Sequence, residues 1–408
     1  MMLELNFLNN LSKQFGTSFY IFDKEVFIEN YLRFKKALQN VYPKIEIAYA
    51  FKSNYMPILG DIISEQNGMI EVVSDLEYDI ASKSVNQNRI IFNGPVKTKQ
   101  DILKAIRNNS LLHIDSIYEF EYIKELLNEN AITEANIGIR INFNVLDYKS
   151  RFGFNTENGE LNTIVSLIES EPNIHLQSIH SHFSTKEKSL EIFSIRATKM
   201  AEVYKSLIKK HDIKFIDIGG GYFGTLPAEL VKKFNVHIPS FEEYAECMAD
   251  VLIRELEEFE LPTLIIEPGI SLVGNTMTYV TKVLEIKRAN EINYAVCDSS
   301  INIVNPTKSN IKPYFYFLNQ NNNSSNNMRF NIVGNTCMEH DVLIDNYDGI
   351  CDVGDFIVFG NRGAYSNVYT PNFIMPSPPI IGLNGEVYKY RDNADSILQV
   401  YNYKGKAK

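Results

Sequence analysis

Basic charge is scarce in this sequence of 408 residues: 40 Lys+Arg stand against 50 Asp+Glu, a formal net charge of −10. Phosphate contacts need clustered positive charge, so nucleic acid is excluded as the main partner. Apolar runs are short, and none approaches the roughly 18 residues needed to span a bilayer, so no membrane partner is expected. The opening MMLELNFLNNLSKQF has no basic n-region and no small-residue cleavage site, and does not read as a signal peptide. The four cysteines, Cys247, Cys297, Cys337 and Cys351, lie far apart with no C-x-x-C pair, so neither a zinc knuckle nor a disulfide framework is signalled. A reduced, cytoplasmic setting is expected. Neither GK[ST] nor G-x-G-x-x-G occurs where a nucleotide would need it.

What is present is enough apolar residue, 45% against 22% charged, to bury a large core. One low-complexity stretch, Asn319 to Asn327, has nothing to bury and reads as a disordered surface loop. Eight short apolar runs recur through the first two thirds: EIAYAFK, MIEVVS, RIIFNG, LLHIDS, IGIRIN, LQSIHSHF, KFIDIGGG and LPTLIIEPG. Most gaps between them carry apolar residues three and four apart, as in KQDILKAIRNN and FEEYAECMADVLIRELEEF. Strand and helix alternating eight times predict an α/β fold, a (β/α)8 TIM barrel over residues 24–275. After Gly269 the texture changes to strand-like runs without long helices, from TYVTKVLEIKR to EVYKYR and SILQVYNY. They predict an antiparallel β domain, a sandwich or barrel, over 276–408. The run TSFYIFD adds a strand from residues 1–23, so that the two chain ends meet.

Each barrel run ends in a polar group: Lys52, Ser74, Asn93, Asp115, Arg140, His180 with His182, Gly219 to Gly221, and Glu267. Such ends converge on one mouth, where barrel enzymes do their chemistry. Lys52, ending an apolar strand, is a candidate Schiff-base nucleophile, because one-sided desolvation favours the neutral amine. Three glycines in DIGGGYFG let bare backbone approach an anion, or simply make a tight turn. Glu267 emerges from a buried strand and needs a cationic partner. A protonated pyridine nitrogen is one, and with a lysine imine and a phosphate cradle it specifies pyridoxal 5′-phosphate. The pair His180 and His182 reads as metal ligands, as a flat ring for stacking, or in part as core histidine; with seven histidines and no matching His/Asp set, no metal is expected.

YAFKSN, EVVSDLE, HSHFST, DIGGGYFG, EPG, GNTCMEHD and GAYS, in that order and nearly end to end, resemble the fold-type III pyridoxal-phosphate decarboxylases, alanine-racemase-like in fold and including the diaminopimelate, ornithine and lysine decarboxylases. The resemblance implies an amino-acid carboxy-lyase working through a Lys52 aldimine, with His182 stacked on the cofactor ring. It places Gly219, Gly220, Gly221, Thr185 and Tyr365 at the phosphate, Arg140 near the ring hydroxyl, Glu71 beside the aldimine, Glu267 at the pyridinium nitrogen, and Gly269 in the cofactor site. Cys337, as proton donor, and Glu339 or Asp341 would serve the partner's site across a homodimer, and Arg151 would face substrate. Glu267 favours decarboxylation over racemisation, since racemases of this fold put arginine there. A silent regulatory homologue is the remaining alternative, disfavoured by the intact Lys52, glycine run, Glu267 and Cys337.

Departures redirect the substrate. Ile270 stands where the family's EPGR has arginine, Met338 stands where diaminopimelate decarboxylases carry a substrate-reading glutamate, and the RPALYGAYH-like segment is absent. Losing partners for a distal group relaxes selectivity for it. The expected substrate is therefore another amino acid, a diamino acid or amino-acid conjugate of siderophore or secondary metabolism, with meso-diaminopimelate as the alternative.

Overall fold

A computed structural model describes residues 3–183, 185, 187–234, 236–319 and 327–402. Most of the asparagine-rich stretch, 320–326, lies outside the described residues. The chain divides into two compact units, one of residues 28–225 and 234–272, the other of 1–27, 226–233 and 273–408.

The first unit is the barrel. Its strands are Ile45–Ala50 (β1), Met69–Val72 (β2), Ile90–Phe92 (β3), Leu111–Ile114 (β4), Ala135–Asn142 (β5), Ile174–His180 (β6), Phe215–Asp217 (β7) and Thr263–Ile266 (β8). All neighbours pair parallel, and pairing of β4 with β5 closes the ring. The sequence reason is burial on both faces: β2, β3 and β4 are buried at every position, so they read as unbroken apolar runs. Four of the connecting helices start on side-chain caps, from Ser74, Thr98, Ser189 and Ser240. Thr98 with Asp101 and Ser240 with Glu243 form capping boxes. Ser74, expected at the mouth, is instead the cap of the helix Asp75–Ala81, its hydroxyl accepting from Glu77 N.

Under the loop after β3, Lys97 and Glu119 form a fully buried ion pair at 3.0 Å. Glu119 also accepts from the backbone N–H groups of Lys97 and Asp115, each at 2.8 Å, and so fixes two of the turns that enter the mouth. Removing one partner strands a buried charge, and Glu119→Ala is expected to lower the unfolding free energy by about 3–5 kcal/mol. A urea titration reads this, and a loss below about 1 kcal/mol, the size of a surface pair, would refute it.

The second unit is a nine-stranded sheet. Its long strand Met277–Ala289 pairs antiparallel with Ser18–Phe22, Ile292–Cys297 and Phe356–Phe359. The N-terminal run therefore sits in the same sheet as the C-terminal strands, over a core that includes Leu8, Leu11, Phe19, Val280 and Val358. The sheet is antiparallel apart from two parallel pairs, Ile292–Cys297 with Met328–Val333 and Ser18–Phe22 with Ile380–Gly382. The described part of SILQVYNY, residues 396–402, is not a strand. Asn393 caps it and exchanges hydrogen bonds with Ser396, so Ala394–Leu398 is helical. Leu5–Phe15 is a helix that buries Leu8 and Leu11. Among the described residues no helix is long and apolar enough to cross a membrane.

Candidate active site

A cavity of about 550 Å³ opens at the C-terminal ends of the barrel strands, lined by Lys52, Glu71, Asn93, Arg140, Arg151, His180, His182 and Glu267 among others. Lys52 stands in the single turn Phe51–Ser53 that follows β1, and its Nζ is paired with Glu71 Oε2. Glu71, within β2, is buried. Burial pushes its carboxyl up to about 7, with Glu267 adding to the rise and Lys52 opposing it.

Glu267 follows β8 and is buried, with one oxygen accepting from the Asn93 amide. His180 Nε2 lies 3.4 Å from its other oxygen. Burial alone would raise this carboxyl, but His180 and Lys52 hold it well below the usual carboxylate range. Asp217, the last residue of β7, goes the other way. Burial and then the charge on Glu267 push it well above the normal aspartate range, so it carries the proton that Glu267 lacks. His180, Asp217 and Glu267 present donor atoms within 4.8 Å of one another, a set close enough to share one cation. A proton on Asp217 relieves the same repulsion without a metal.

His182 is held neutral, chiefly by burial and then by Lys52. Its Nδ1 accepts from Gly220 N at 2.9 Å, so the ring proton is on Nε2. The glycine run is packed from three sides. A side chain on Gly219 would meet Ser181 O at 2.7 Å, and one on Gly220 would meet Glu267 O at 2.3 Å. Gly219 N is spent on Asp217 Oδ1. Gly221, at φ +102, has an N–H with no acceptor among the described residues, which makes it the amide open to an anion. Gly269 packs against Ala50 and Ser53. Thr185 is buried. Arg140 reaches Asp115 at 3.5 Å and His182 O at 3.1 Å, and it shares the Phe152 ring with Arg151, their guanidinium carbons 4.7 and 4.4 Å from its centroid.

Four residues expected at the site belong to the second unit. Cys337 and Glu339 are exposed. Tyr365 takes φ +50 and packs edge-on to Tyr369. Asp341, expected to reach outward, is buried. Its carboxylate accepts from Ile301 N at 2.6 Å and from Thr336, so it is committed to holding its own loop.

Sequence reasoning missed Arg196, which is buried in the helix Leu190–Leu207 and donates to Ile218 O and Gly220 O at 3.0 Å, clamping the glycine run from behind. Its signal was a lone cation on an otherwise apolar helix face. His113, inside the apolar run LLHI, was missed as well.

The barrel portion, residues 26–274, matches the family model described as pyridoxal-dependent decarboxylase, pyridoxal binding domain. The chain belongs to the pyridoxal-dependent decarboxylases. Among curated relatives, the diaminopimelate decarboxylase of Aquifex aeolicus is 26% identical over 96% of this chain and 93% of that one. That of Methanocaldococcus jannaschii is also 26% identical, over 89% and 85%. A crystal structure of diaminopimelate decarboxylase from M. jannaschii superposes with a TM-score of 0.85 at 24% identity over 97% of this chain and 94% of that one, a likeness of fold. The protein is thus a pyridoxal-phosphate-dependent amino-acid decarboxylase with a closed parallel barrel and a separate, largely antiparallel sheet. The donor set fits that cofactor: an amine for its aldehyde and an ionised carboxylate for its ring nitrogen line one cavity, and the Gly221 amide is open for its phosphate.

Proposed function

We propose that the protein decarboxylates a diamino acid or a conjugated diamino acid, with Lys52 holding the cofactor aldehyde, Glu267 its ring nitrogen and Gly221 with Thr185 its phosphate. The observation that carries this reading is the ionised Glu267, buried in the cavity that also holds Lys52. Pyridoxal phosphate, when bound, accepts the electrons left at Cα as CO2 departs. Glu267 supports that demand by keeping a negative charge where a ring proton needs one. His182, neutral and fixed by Gly220 N, offers a flat face without adding charge. Glu71 takes or gives a proton near neutral pH beside the Lys52 amine.

The substrate reading rests on Ile270 and Met338, apolar side chains where a distal amino-acid end would want polar partners. The second reading, meso-diaminopimelate, is favoured by the names of the relatives from A. aeolicus and M. jannaschii. We further infer a cytoplasmic homodimer in which the exposed Cys337 and Glu339 serve the site of a second copy, Cys337 donating the proton that replaces CO2. A panel of ornithine, lysine, meso-diaminopimelate and conjugated diamino acids, assayed for CO2 release, decides the substrate. The expected result is at least about tenfold higher kcat/KM for one of the others, and preferred turnover of meso-diaminopimelate would overturn the reading.

A further inference from the structure

Beneath the cavity a buried polar chain crosses the barrel: Ser178 on β6, His113 on β4, Asn93 after β3 and Glu267 after β8. His113 Nε2 lies 2.7 Å from Ser178 Oγ, His113 Nδ1 lies 2.7 Å from Asn93 Oδ1, and the Asn93 amide nitrogen donates to Glu267 Oε1. The contacts determine one another. Since the Asn93 nitrogen faces a carboxylate, its oxygen faces His113, so Nδ1 must carry the ring proton. The neutral ring then accepts at Nε2, and the Ser178 hydroxyl is the donor. Every donor in the chain points toward Glu267, and hydrogen bonds aligned in one direction strengthen one another.

Two further features hold the chain. A side chain on Gly138, in β5, would meet His113 Cδ2 at 2.2 Å and Nε2 at 2.7 Å, so the glycine makes room for the ring. His180 stacks on His113 with centroids 5.0 Å apart and 25° between the planes. Burial, then the neighbouring His180, holds His113 far below its usual range, in keeping with a neutral ring. With Oε1 spoken for, Oε2 is the oxygen that faces His180.

We infer that Ser178, His113 and Asn93 are positioning residues that orient the Glu267 carboxylate and stabilise its charge, and so set how strongly the site grips a protonated ring nitrogen. The inference rests on the proposed pairing of Glu267 with that nitrogen. The test is cofactor affinity by equilibrium dialysis of the cofactor-free protein, with pyridoxal phosphate and with its 1-deaza analogue, which has carbon in place of the ring nitrogen. Glu267→Gln serves as the reference. His113→Phe and Asn93→Leu are expected to weaken pyridoxal phosphate binding about tenfold, and Ser178→Ala about threefold, with the analogue unchanged within about twofold. Equal losses for both cofactors, or no loss for either, would overturn the inference, since a merely structural role cannot see the ring nitrogen. If Glu267→Gln itself fails to discriminate, the ring-nitrogen reading falls. If Glu267→Gln discriminates and the chain variants do not, only the positioning role falls. Should His113→Phe melt early, Ser178→Ala, which removes one hydroxyl, gives the same comparison.

Discussion

Lys52→Ala is expected to lower turnover by about four to six orders of magnitude, the range seen when a covalent nucleophile is lost, and to abolish the imine absorption band of the reconstituted protein. Lys52→Arg is expected to do no better, because a guanidinium stays protonated and cannot attack an aldehyde. A variant retaining more than about a hundredth of the turnover would remove Lys52 from the role of attachment point. A second readout needs no cofactor. Glu71 owes its raised value of about 7 first to burial, and Lys52 is the cation that limits the rise. With the cation gone the Glu71 titration moves further up, which carboxyl-labelled NMR of the cofactor-free protein can follow, and a downward movement would contradict the pairing of the two side chains. The same variant probes the proposed homodimer: mixed with Cys337→Ala, it regains turnover only if the two residues are supplied to one site by different copies.

The barrel was legible because its strands are buried on both faces, which leaves a one-dimensional trace. Ile90–Phe92 and Thr263–Ile266 are apolar runs with polar ends, and the ends are Asn93 and Glu267. Placing Lys52, Arg140, His180, His182 and Glu267 around one cavity needed only the rule that parallel strand ends share a face, whereas Glu71, inside its strand, was placed by the family resemblance. What was not legible depends on partners far along the chain. Asp341 reads like any exposed acid in CMEHD, and only its hydrogen bond to Ile301 N, 40 residues away, makes it structural. Ser74 and Asn393 carry their signal locally, in side chains that cap helices, but each stands beside apolar residues that suggested strand. His113 is the one polar residue in LLHI, and it was passed over. Its meaning required Asn93 and Ser178, on two other strand segments.

Glu267→Gln is expected to lower kcat by about 10²–10³, the cost of losing one preorganised electrostatic partner of a developing charge. The substitution isolates charge from shape. Glutamine is isosteric and keeps an oxygen for the Asn93 amide, so the chain beneath the cavity stays satisfied and only the negative charge is lost. It also acts on Asp217. Burial is the first reason that this carboxyl is raised, and the charge on Glu267 is the second. Removing that charge lets Asp217 ionise more readily, which returns part of the missing negative charge to the same corner of the site. Asp217→Asn alone is therefore expected to be mild, since a neutral amide replaces a neutral acid. Glu267→Gln/Asp217→Asn is expected to be worse than the product of the single effects, because it blocks the substitute anion. Steady-state kcat for the three variants decides the matter. Strict multiplicativity would mean that Asp217 does not share a proton with Glu267, and a Glu267→Gln enzyme within about threefold of the parent would mean that the site does not depend on this charge at all.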